Sequence, residues 1–196
     1  MISEMNIERT VNSDFGMNYC FYVPRYPQHF AAEDWPNDVS CEGEGPDYWG
    51  RRCCGLASLR MIIGHFNKNV PMQYELLKNG LNQNAYCTKG WIHKGLAELG
   101  SDYGLKGTPI AIKDGAHLQK ILVTNGPVIV SITESFPEDG RKGGHLIVVC
   151  GRHQHDQETT ITFRDPSKWG ENHSHVSEKR FLKSFSGRGI YFSEKL

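Results

Sequence analysis

The order of sequence patterns predicts an α+β fold, with a helical layer first and an antiparallel sheet second. Three observations carry that expectation. Apolar residues recur at helical spacing in four segments from residue 54 to 126, β-branched runs replace them from residue 127 onward, and the two kinds hardly alternate.

Residues 1–50 precede both halves and read as an irregular arm rich in Pro, Gly, Asp and Glu, with one short strand near residues 19–23. In the first predicted helix Leu56, Leu59, Ile62, Ile63 and Phe66 share one face, and the helix ends near Asn67. A second helix starts at Pro71 and stops at Asn79-Gly80; a third spans 91–103 before Gly104. A fourth runs from Asp114 to Asn125, with Leu118, Ile121 and Leu122 on one side. The period then changes. Strands are expected over 127–132, 146–150 and 159–163, followed by a short helix over 177–184 and a last strand over 189–192.

With 196 residues the chain is expected to form one domain over 1–196: the arm (1–50), a helical half (54–125) and a sheet half (127–196). Lys and Arg number 22, as do Asp and Glu, so the formal charge is zero. That balance lacks the basic footprint of a nucleic-acid binder or a polybasic membrane anchor, so neither partner is expected. No apolar run approaches the ~18 residues of a membrane span. Met1-Ile2-Ser3-Glu4-Met5-Asn6 is not an export signal, so a cytoplasmic protein is expected, with its six cysteines mostly free thiols. Cys150 reads as a small buried hydrophobe. No dinucleotide or phosphate-binding glycine pattern is present, so no cofactor is expected. His153-Gln154-His155 and His173-Ser174-His175 lie in polar stretches without further anchors and read as solvated loop histidines rather than metal ligands.

Chemistry gathers at three positions. Cys54 opens the first helix, where unpaired N–H groups and the dipole favour a thiolate; Gly55 leaves room beside the sulfur, and Arg51 and Arg52 add positive charge. A buried structural cysteine is the competing reading. His145 follows Gly143-Gly144 into an apolar strand, and Asp165 ends a strand before Pro166-Ser167. A hairpin of 145–151 against 159–165, centred on His155, sets His145 directly opposite Asp165, with Cβ atoms about 4.5–5.5 Å apart. A carboxylate at that distance orients an imidazole, and the thiol completes a cysteine–histidine–carboxylate triad. Acyl attack also needs oxyanion donors: the Cys54 N–H is one, and Gln28 is the best side-chain amide upstream.

The run Cys54-Gly55-Leu56-Ala57-Ser58 is followed in order by Gly90-Trp91, Gly126-Pro127-Val128, Gly144-His145-Leu146 and Asp165-Pro166, and preceded by Val23-Pro24 and Gln28. From about residue 19 to 192 this order resembles the bacteriocin-processing-peptidase-like cysteine peptidases, a papain-like group. The resemblance implies a papain-like α+β domain with Cys54 as nucleophile, His145 as general base and acid, Asp165 as orienting carboxylate and Gln28 as oxyanion donor. Two features depart from the pattern. An acidic, Trp- and Gly-containing insertion across 33–48 lengthens the gap between Gln28 and Cys54, which leaves Tyr48 where some members carry their glutamine. Cys53 adjoins Cys54, and the second is preferred because glycine follows it.

Members that cut double-glycine leaders are commonly fused to transporters, so the resemblance here implies a stand-alone hydrolase or acyl-transfer enzyme. The expected substrate is a peptide or another acyl compound (amide, ester or thioester), carrier-protein-bound forms included. Acyl or aminoacyl transfer, and an inactive papain-like binding module, are the alternatives. Trp49, Trp91, Trp169 and Gly144 are expected to line the substrate cleft, with core burial of the tryptophans as the competing reading.

Overall fold

The computed structural model describes residues 19–195, so the first part of the expected arm lies outside the described residues. β1 (Tyr19–Cys20) comes first, then a 3-10 turn at Ala32–Asp34 and α1 (Pro46–Gly50), which has Pro at its start. The arm between them is held by its tryptophans. Trp35 packs edge-on against Phe30 and Tyr74, and Trp49 donates its Nε1–H to the Cys41 carbonyl at 2.9 Å.

α2 (Cys54–His65) is the central helix, and every residue from Gly55 to Ile63 is buried. The sequence pattern showed one apolar face; in the fold the helix is covered on all sides. Gly55 is dictated by packing, since a Cβ there would stand 2.8 Å from Trp91 Cγ. The Cys-Gly and Gly-Trp motifs are therefore two halves of one contact. Trp91 also donates to the Arg52 carbonyl at 2.7 Å, bracing the turn that leads into α2.

α3 (Gln73–Asn82) follows, then a hairpin of β2 (Tyr86–Cys87) and β3 (Gly90–Trp91). α4 (His93–Leu99) is shorter than expected because its continuation tightens into a 3-10 turn, Gly100–Tyr103, closed by Gly104 at φ +76°.

The second half comprises β4 (Leu105–Ala111), α5 (Gly115–Asn125), β5 (Val128–Ile132), β6 (His145–His155), β7 (Glu158–Arg164), β8 (His175–Ser177), α6 (Glu178–Ser184) and β9 (Phe185–Glu194). Asp114 caps α5 by accepting the His117 N–H at 2.8 Å, and Ser177 caps α6. Seven antiparallel strands form one sheet in the order β4-β9-β5-β6-β7-β8, with β1 beside the far end of β6. β4 escaped the sequence reading because Gly107 and Pro109 dilute its pattern; it lies at the sheet edge, where a proline costs no ladder bond. No helix among the described residues is long and apolar enough to cross a membrane.

The expected β6–β7 register needs correction. The hairpin turns at Asp156-Gln157, with Asp156 at φ +53°, and His155 pairs with Glu158 rather than sitting at the centre. Val148 then faces Arg164 and Val149 faces Phe163, which sets Asp165 level with Ile147 and just past the end of β7. A bulge between Val149 and Gly151 absorbs the odd residue. The displacement at His145 is two residues, an even number, so His145 keeps the face on which Asp165 stands.

Candidate functional site

Three elements meet at the site. The N-terminus of α2 delivers Cys54, the first residue of β6 is His145, and the chain leaving β7 carries Asp165. Ser58, one turn along α2 from Cys54, donates its hydroxyl to the Leu146 carbonyl at 3.1 Å. That bond straps the nucleophile helix to the strand that begins with His145.

His145 Nε2 lies 2.8 Å from Asp165 Oδ1, both side chains being buried. The same Oδ1 accepts the Ser167 N–H at 2.7 Å, while Oδ2 is buried without a partner. With Nε2 engaged by the carboxylate, Nδ1 is left for Cys54, whose side chain hydrogen-bonds the ring. Burial works against an imidazolium here, but the bonds to Asp165 and to Cys54 outweigh it and push the His145 pKa up to about 10. Asp165 shows the mirror effect: burial would raise its pKa, yet His145 and Ser167 hold it below the usual carboxylate range. Both partners thus favour a proton on the imidazole. No side chain caps the first N–H groups of α2, which stay available beside the sulfur.

Residues with no motif of their own position this pair. Arg25 donates Nε to the Asp165 carbonyl at 2.8 Å and Nη2 to the Ser167 carbonyl at 2.7 Å. Gly170 passes so close that a Cβ would stand 2.3 Å from the Asp165 oxygen. The sequence reading missed Arg25, Ser58 and Gly170. Only Ser58 left a trace, as a hydroxyl in an apolar helical stretch.

The expected site residues divide by position. A cavity of about 1370 Å³ is bordered by Cys54, Tyr48, Trp91, Gly144 and Leu146. Cys53 is fully buried, and burial raises its pKa well above the ordinary value. Gln28 is 7 % exposed and does not border the cavity. Its Nε2 donates to the Gly50 carbonyl at 3.1 Å, its Oε1 is buried without a partner, and its backbone N–H bonds the Pro166 carbonyl at 2.9 Å. The Gln73 Nε2, from the first turn of α3, donates to the Gln28 carbonyl at 2.6 Å.

Trp49 and Trp169 do not border the cavity. Trp49 is turned into the core, and Trp169 stacks on His173 with ring centroids 4.0 Å apart. The reading of the paired histidines as loop residues is also corrected: His175 opens β8, His155 ends β6, and His153 lies within β6, half-buried. It joins a second thiol group that sequence spacing could not reveal. Cys20 hydrogen-bonds Cys150 and His153, and against the opposing effect of burial the Cys150 bond and then His153 bring its pKa down to about 6.

Comparison with known proteins places this geometry. The model of the Peptidase_C39 like family matches residues 21–190. The peptidase domain of Streptococcus ComA, a bi-functional ABC transporter, superposes with a TM-score of 0.57 at 22% identity, covering 74% of this chain and 93% of that one. A structure of a C39-like peptidase from Bacillus anthracis gives a TM-score of 0.60 at 17% identity, covering 92% and 99%. The N-terminal peptidase C39 like domain of a Vibrio parahaemolyticus toxin secretion ATP-binding protein gives 0.50 at 15% identity, covering 72% and 96%. No curated protein sequence matches the chain. The fold is thus the papain-like α+β arrangement expected, helical part first and antiparallel sheet second.

Proposed function

The chain belongs to the Peptidase_C39 like family, and from that premise we propose that it hydrolyses a peptide or related amide through an acyl-enzyme on Cys54. The observation that carries the reading is the buried His145–Asp165 pair at 2.8 Å, with Cys54 on the other side of the imidazole. The Cys54 sulfur passes its proton to His145 as it forms a bond to the substrate carbonyl carbon. The tetrahedral oxyanion meets the free N–H groups at the start of α2 and the Gln28 amide, which has one N–H beyond the one given to Gly50. As the oxyanion collapses the C–N bond breaks, and His145 passes its proton to the departing amine. Water then attacks the thioester, His145 takes the water's proton, and the C–S bond breaks to free the acid. Throughout, Asp165 keeps the ring aligned and its charge balanced.

Peptide thioesters and peptides offered to the protein test this by intact mass, with His145→Ala used to slow turnover. An acyl adduct mapped to Cys54, absent in Cys54→Ala and retained in Cys53→Ala, is the expected result. An adduct on Cys53, or none with any substrate in either protein, defeats the proposal.

A further inference from the structure

We propose that the cleft beside Cys54 takes an acidic peptide, held by a wall of cationic side chains contributed by four separate parts of the fold; this rests on Cys54 being the nucleophile. Arg51 and Arg52 come from the turn before α2, Lys89 from the β2–β3 hairpin, Lys94 from α4 and Arg188 from β9. Among the described residues, none of the side chains bordering the cavity is Asp or Glu. The whole chain is neutral, with 22 residues of each sign, so this one-sign wall is a matter of arrangement and not of composition.

These cations have no buried counter-charge, although Arg51 and Arg52 donate hydrogen bonds to the Asp47 and Tyr48 carbonyls. Among the described residues Arg51, Arg52, Lys89 and Arg188 make no ion pair, and Lys94 has only a solvent-exposed contact with Glu98 at 3.7 Å. Arg52 is fixed in place, its guanidinium lying 3.7 Å over the Tyr48 ring. The neighbouring His93 registers the field: burial first, and then the Arg188 charge, lower its pKa. Trp91, Ile110 and Leu146 supply apolar surface in the same cleft. Carboxylates spaced along a peptide satisfy the wall while apolar side chains cover that surface, and the low-dielectric walls strengthen the attraction. A basic segment would meet like charge along that wall.

The test uses three N-chloroacetyl heptapeptides that differ only in carrying Glu, Gln or Lys. Alkylation of Cys54 forms a C–S bond with loss of chloride, and peptide mapping separates it from labelling at Cys20 and the exposed Cys87. At low salt the Glu probe should react about tenfold faster than the Gln probe, with the Lys probe slowest, and 1 M salt should erase the order. In Lys89→Gln/Arg188→Gln the Glu-to-Gln ratio should fall toward one, whereas Lys179→Gln, outside the cleft, should leave it unchanged. Equal rates for all three probes at low salt, with Cys54 still reacting rapidly with iodoacetamide, overturn the charge preference alone. A Cys54 that reacts with iodoacetamide no faster than free cysteine overturns the catalytic reading and this one with it.

Discussion

Replacing Asp165 by Asn isolates the carboxylate's charge from its shape. Oδ1 carries both existing bonds, to His145 Nε2 at 2.8 Å and to the Ser167 N–H at 2.7 Å, and an amide oxygen can accept both. The new NH₂ would fall where Oδ2 already lacks a partner, so the main change is lost charge. The interval between the ordinary histidine value of 6.5 and about 10 corresponds to roughly 5 kcal/mol in favour of the imidazolium, at about 1.4 kcal/mol per pH unit. Asp165 and Cys54 share it. Removing the carboxylate's part should bring His145 down to ~8, within the range of about 1–3 units that a neighbouring charge commands.

The imidazolium, and the acid step that depends on it, would then fail earlier as pH rises. Peptide hydrolysis at pH 9 should drop about tenfold more than at pH 6. Histidine NMR titration of wild type and Asp165→Asn measures the shift directly, and the kcat/KM profile checks its consequence. A ring that titrates at the same pH in both proteins would refute the argument. Stability follows the same sign: the raised His145 value stabilises the fold fully below about pH 6.5 and ceases to do so as pH climbs through about 10. The depressed Asp165 value contributes above the usual carboxylate range and is lost as pH falls through its folded value.

Three further outcomes are expected. Gly170→Ala should push the Asp165 turn away from His145, lowering melting stability by about 1–3 kcal/mol together with kcat; unchanged values would show that the 2.3 Å approach is easily relieved. Ser58→Ala removes the strap to Leu146, costing about 1 kcal/mol of stability and lowering kcat more than KM; an effect on stability alone would deny it a positioning role. Gln28→Ala should lower kcat by about 10²-fold while Tyr48→Phe has a small effect, since the amide is the assigned oxyanion donor; the reverse ranking would transfer that role to Tyr48.

Much of the fold was legible because it depends on local pattern. The helix from Cys54 and the strands over 128–132 and 158–164 announce themselves by period and side-chain type. β4 was not legible, because its partner β9 lies about eighty residues away and nothing within its own seven residues declares the pairing. The β6–β7 register was misjudged for a related reason. A left-handed residue at Asp156 and a bulge near Cys150 move the pairing, and neither leaves a sequence mark. Had the displacement been one residue instead of two, His145 and Asp165 would stand on opposite faces.

Sequence alone determined which groups are available for chemistry: a thiol opening a helix, a histidine entering a strand after glycines, and an Asp-Pro closing another. Residue type and near neighbours suffice for that, since capping, period and turn chemistry act over a few residues. Only the tertiary structure decided which side chains touch. Arg25 reaches across 140 residues of chain to hold Asp165, Ser58 spans 88 to hold Leu146, and five cations from distant segments share one cleft wall. Contacts of that kind depend on how the helices and the sheet pack as rigid bodies, and local pattern carries no record of it.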